Sequence, residues 1–159
     1  MAYKWTTTTV GLTPVNTVDD EQKFPIGTIA NALDDGYGEG TFIYLPGVAS
    51  TVAGDVVAYD TDAPSTTRTV AATRGPLAVA MAAVVAGKYG WYQVRGAALV
   101  NVAAAVAAGT PAYLTATAGN VDDATAAGQG IDGMVFKVLA SGAGQTVAQI
   151  AYPSASGAF

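Results

Sequence analysis

Three times this chain writes Ala-Gly and then a tyrosine four or five residues on: Ala53-Gly54 to Tyr59, Ala86-Gly87 to Tyr92, and Ala108-Gly109 to Tyr113. Each copy reads as a tight turn feeding a short strand, because glycine supplies the positive φ angles that tight turns need. The chain between the copies is built from Ala, Val, Thr and Gly. The copies are 33 and 22 residues apart. Unequal periods exclude a regular solenoid or propeller, so the Ala-Gly pairs are a recurrent turn device.

The remaining punctuation is equally dense. Phe24 to Ala30 reads as a short strand, 34–40 as a Gly-rich turn, and Thr41 to Leu45 as a strand closed by Pro46-Gly47. Asp55 to Tyr59 is a strand closed at Asp60 to Pro64. Leu77 to Ala83 and Trp91 to Arg95 read as a β-hairpin turning near 86–90. Strands at Ala97 to Val102, Ala112 to Thr117, Val135 to Leu139 and Thr146 to Tyr152 follow. With turn signals about every 8–12 residues, the expected fold class is all-β, either a β-sandwich or a small β-barrel. The Ala content of 101–108 also allows a helical turn capped by Gly109.

Residues 1–23 differ from the rest. They are Thr-rich and acidic and show no sustained period, so we expect an extended N-terminal arm, with the β-rich domain at 24–159. No secretory leader is expected from the start of the chain. The longest purely apolar run, Leu77 to Ala86, has ten residues, where a membrane helix needs about 20. No membrane partner is therefore expected.

An apolar fraction of 51% overstates the core, since Ala supplies 33 residues and Val 19. Alanine buries little surface, and burial is worth roughly 25 cal/mol per Å². A core this thin implies that part of the stability comes from a partner surface or an oligomer. The net charge of −5 is uneven: residues 1–62 carry nine acids and two bases, whereas 63–121 carry four bases and no acid. An acidic front and a basic middle can attract each other within one chain or between neighbours. The overall acidity argues against a nucleic-acid partner.

Catalytic chemistry has little to draw on. There is no Cys, hence no disulfide, thiolate or Cys-based zinc site, and no His to serve as a base. None of the five serines lies in Gly-x-Ser-x-Gly. The carboxylate pairs Asp19/Asp20, Asp34/Asp35 and Asp122/Asp123 are sequence neighbours, which on a strand face opposite ways. Asp34, Asp35 and Glu39, or Asp60 and Asp62, offer oxygens to calcium, but neither run reproduces a calcium loop. Gly128 to Gly133 matches Gly-x-Gly-x-x-Gly by letter, yet a strand and not a helix is expected after it. We expect no enzyme, no cofactor and no metal.

The phrases Phe24-Pro25-Ile26-Gly27-Thr28, Asp35-Gly36, Thr41-Phe42-Ile43-Tyr44 and Ala53-Gly54-Asp55-Val56-Val57 resemble tailed-bacteriophage capsid decoration (cement) proteins. So do Leu77-Ala78-Val79-Ala80, the run Gly87 to Gly96, Ala108 to Tyr113 and Thr146 to Ile150. The resemblance covers roughly residues 24–152 and is poorest in the arm. It implies a non-enzymatic virion structural protein, made in the host cytoplasm, that binds the outer surface of the expanded capsid, bridges capsomers and stabilises the shell. The implied partners are the major capsid protein and neighbouring copies, as a dimer or trimer. The expected contact residues are Trp5 and Thr6, Thr7, Thr8 and Thr9 in the arm, where no local core is available to Trp5, together with Arg68 and Arg74. Trp91, mid-strand, is expected in the core. The alternative is a phage fibre or tail-associated receptor- or glycan-binding β-domain.

Overall fold

Tyr89 to Val102 is rich in aromatic and β-branched residues (Tyr89, Trp91, Tyr92, Val94, Val100 and Val102), a composition that suits a largely buried strand. This stretch forms one continuous strand of 14 residues. The computed structural model describes residues 3–6 and 11–156, and among them every regular element is a strand. In chain order these are β1 (Lys4–Trp5), β2 (Val18–Asp19), β3 (Ile29–Asp34), β4 (Gly38–Pro46), β5 (Val56–Asp60) and β6 (Ser65–Arg68). They continue as β7 (Gly75–Ala80), β8 (Tyr89–Val102), β9 (Pro111–Leu114), β10 (Val121–Asp122), β11 (Gly130–Phe136) and β12 (Gly144–Ala155). The protein is all-β.

The strands form a single mixed sheet. Part of it closes on itself: β8 pairs β12, β12 pairs β11, β11 pairs β9, β9 pairs β10, and β10 returns to β8 in parallel. The other strands flank this circuit as β1–β3–β4 beside β8 and β7–β5–β6 beside β12. Inside the circuit lies one core, with Val100, Val102, Leu114, Ile131, Met134, Phe136 and Ile150. A second, around Leu45, Val57, Val84, Tyr92 and Val94, fills the space between β4, β5 and β7. The third is aromatic, built on Phe42, Tyr44 and Trp91.

Several local expectations change: the strand expected from Phe24 begins only at Ile29, after a turn at Ile26-Gly27, and the strand expected to reach Leu139 ends at Phe136. The break expected at Gly96 does not occur: β8 runs through it, paired to Ile150, and the register shift against β4 falls at Gln93–Arg95. Gly96 has a φ of 104°, and a Cβ there would meet the Glu39 carbonyl oxygen at 2.6 Å. The helical turn allowed at 101–108 does not form. Val102 and Val106 are buried, and Val106 bridges Ala140, so tertiary pairing overrides the alanine propensity. As expected, a strand and not a helix follows the Gly-rich 128–133 segment, although β11 already begins within it, at Gly130.

The described part of the arm is docked on its own chain. Lys4 and Trp5 pair with Leu33 and Ala32 of β3, and β2 pairs with Gly90 and Tyr89 of β8. Val15 and Asp19 are buried. The expectation that Trp5 lacks a core is corrected: its ring packs edge-on against Phe42 and Trp91, with centroids 5.9 and 5.0 Å away, and its Nε1 donates to the Thr13 carbonyl at 2.8 Å. The missing core comes from β4 and β8, far away in sequence. Trp5→Ala is therefore expected to cost about 3 kcal/mol in a urea titration. Lys4→Ala, which removes an ion pair between exposed groups, should leave the midpoint unchanged within error.

Candidate functional site

Among the described residues, those expected to touch a partner do not form one patch. Trp5 lies in the aromatic core. Thr6 is exposed, its N–H bonded to the Asn31 carbonyl at 2.9 Å. Thr7, Thr8 and Thr9 lie outside the described residues. Arg68 is engaged internally: Nε donates to Asp55 at 2.7 Å and Nη2 to the Ala118 carbonyl at 2.8 Å. Arg74 is exposed and lies on the wall of an open cavity.

The Asp55 carboxylate is fully buried and ties four segments together. It accepts from Arg68 of β6, from Asn101 Nδ2 of β8 at 2.9 Å, and from the Val52 amide at 3.1 Å. Gly119, with a φ of 79°, packs so closely that a Cβ would meet the Asp55 carboxylate at 2.6 Å. Removing one partner of such a pair strands a buried charge. Arg68→Ala should accordingly lower stability by about 3 kcal/mol, measured by chemical denaturation.

Buried phenols supply the other electrostatic feature. Tyr44 donates to Asp19 at 2.8 Å, and Lys23 Nζ lies 2.5 Å from the other carboxylate oxygen. Burial, reinforced by the Asp19 bond, pushes the Tyr44 pKa up to about 12, and burial also raises that of Tyr92. These groups hold a proton more tightly when folded. Their stabilisation is complete below the ordinary phenol value of 10.0 and is lost as pH climbs through the raised value. An alkaline titration should show these tyrosines ionising only together with unfolding, read as coincident absorbance and circular-dichroism transitions above pH 10.0.

Exposed aliphatic side chains occur on β8 and along and just beyond β11. Even-numbered residues of β8 such as Ala98 and Val100 enter the core, so Leu99 and Asn101 lie on the opposite face by strand alternation, where Ala97 is nevertheless buried. Leu99 sits opposite Val147 of β12, whose carbonyl accepts from the Lys137 and Val138 amides. In the adjoining row Ala97, Gln149, Val135 and Pro111 lie side by side. Leu99, Val135, Val138 and Leu139 are all exposed, Leu139 to 65%. Beside Val135 the pairing of β11 with β9 skips, and a notch of about 330 Å³ opens, lined by Tyr113, Ile131 and Met134. Nothing local announces these exposed positions, which are separated by up to 40 residues, Leu99 to Leu139.

The cavity on whose wall Arg74 lies has a volume of about 540 Å³ and sits between the β5–β6 turn and the start of β7. Among the described residues, no group of three or more His, Cys, Asp or Glu is placed to hold a metal ion. No protein-family model matches this chain, and no curated protein sequence matches it.

Proposed function

We propose that this chain is a non-enzymatic capsid decoration protein that attaches to the outer surface of an expanded phage shell and bridges neighbouring capsomers. The observation that carries the reading is the exposed aliphatic group Val135, Val138 and Leu139 along and just beyond β11, with Leu99 exposed on β8. Exposed apolar side chains with a notch beside them suit a protein partner. Lys137 is the one charged residue among them, and the flanking Gln145 and Gln149 are neutral.

This group takes over the role first given to the arm. Trp5 is committed to its own core, and the sheet's terminal strands offer little for strand addition. β1 has two residues, and β6 (Ser65–Arg68) is short and polar, features that blunt edge pairing. The major capsid protein is the proposed partner, with contacts between adjacent copies adding to the lattice. Each contact can be weak, because a symmetric shell multiplies them.

The test is a binding isotherm on purified expanded shells, with copies per particle counted at saturation. Saturable binding at a number set by icosahedral symmetry is expected. Val135→Asp or Leu139→Asp should weaken it by at least about tenfold while leaving the fold intact. Absent binding, or equal binding by these variants, overturns the reading.

A further inference from the structure

The chain has twelve acids and seven bases, so a base without a carboxylate partner stands out. Lys4, Lys23, Arg68, Lys88 and Arg95 each face an Asp or Glu. Among the described residues Arg74 and Lys137 do not, and Arg74 is the one beside a cavity. Its Nη1 donates to the neighbouring Thr73 carbonyl at 2.6 Å. The guanidinium carries five N–H donors in a fixed fork, which leaves most of them available.

Two carboxylates, Asp60 and Asp62, share that cavity with Arg74, together with the hydroxyls of Tyr59, Thr61, Ser65 and Thr67. Their arrangement follows from the hairpin. Asp60 pairs with Ser65 and Ala58 with Thr67 across β5 and β6, so alternation sets these four on one face. Asp60 Oδ1 accepts from the Asp62 and Ala63 amides at 2.8 and 3.1 Å, which holds the turn in place. The Asp62 carboxylate has no partner among the described residues. Pro76 and Ala58 supply an apolar wall.

We infer that this cavity binds a neutral saccharide, an activity separate from attachment to a shell. A strongly anionic ligand would meet Asp60 and Asp62, and a cation would meet Arg74 without engaging it. A hydrophobic ligand would leave all three charged groups desolvated and unpaired, which is costly. A neutral polyol satisfies both signs at once: its hydroxyls donate to the carboxylates and accept from the guanidinium, forming the stronger, charge-assisted kind of hydrogen bond. The volume falls within the range of about 300–1,000 Å³ usual for small-molecule sites.

A strained residue adds a second, independent observation. Tyr152 has a φ of 49° although it is not glycine, and it is 61% exposed. Left-handed backbone at an aromatic residue is costly and concentrates at functional positions. Tyr152 precedes by two residues Ser154, which pairs with the cavity's Pro76, and it sits in the register shift between β11 and β12. Its exposed ring, two residues along β12 from that pairing, offers a flat apolar surface to the C–H face of a sugar.

The test uses the full chain and a panel of glucose, galactose, mannose, N-acetylglucosamine, maltose, lactose and cellobiose, read by saturation-transfer NMR and calorimetry. At least one saccharide should bind, and Arg74→Ala and Asp62→Ala should each weaken it by at least about tenfold with unchanged thermal midpoints. Val135→Asp, altered on the outer face of β11, should bind the sugar as the wild type does, which separates this site from the proposed shell contact. No saccharide bound, binding indifferent to both cavity variants, or a response to sulfate alone each overturns the inference.

Discussion

Strand β8 must satisfy partners on both edges, and packing on both faces from Gly90 to Val94, and the rest of the structure is arranged around that demand. One edge serves β4 and then β10, and the other serves β2, β7 and β12 in succession. Its side chains enter all three cores: Trp91 the aromatic one, Tyr92 and Val94 the second, and Ala98, Val100 and Val102 the interior of the closed circuit. A buried backbone donor or acceptor left unpaired is expensive, so a strand in this position needs neighbours at every step. Two glycines make the crowding possible. A Cβ at Gly90 would meet Val84 Cγ2 at 2.7 Å, and one at Gly96 would meet the backbone of β4.

The thin core inferred from composition is resolved by this geometry. Alanine and valine bury little area each, but on β8 and its neighbours they are buried almost completely, and Ala98, Val100 and Ala148 have no exposed surface. Small side chains let the strands carry three clusters within one sheet. The arm then closes the aromatic cluster: Tyr3, Trp5, Leu12 and Phe24 pack against it. The same Tyr3 hydroxyl bonds Gln93 and the Ala97 carbonyl. What the small residues do not cover is the exposed surface around Leu139, and the functional reading rests on that remainder.

Local chemistry in the sequence accounts for much of the fold and for little of the site. Turn residues and β-branched runs located most of the long strands, because period and punctuation are properties of neighbouring residues. They underestimated β4 and β11, whose glycines sit inside strands or at bulges and looked like turns. Arg74 was legible as a candidate because it belongs to a stretch without acids. Arg68 belongs to the same stretch, but Asp55 binds it internally, and no spacing rule announces that pairing across 13 residues.

The sequence by itself determined an all-β chain without the groups for thiolate, imidazole or Cys-based metal chemistry, since strand propensity and residue inventory are carried by each position alone. Only the tertiary structure decided that Trp5 packs against the aromatic core, that among the described residues a carboxylate engages Arg68 and none engages Arg74, and that Leu99, Val135, Val138 and Leu139 stay exposed. Those outcomes depend on strand register. Whether Leu99 lies beside Val147, or Asp60 beside Ser65, follows from which edges pair, and pairing is settled by burying the whole set of side chains together rather than by any local signal.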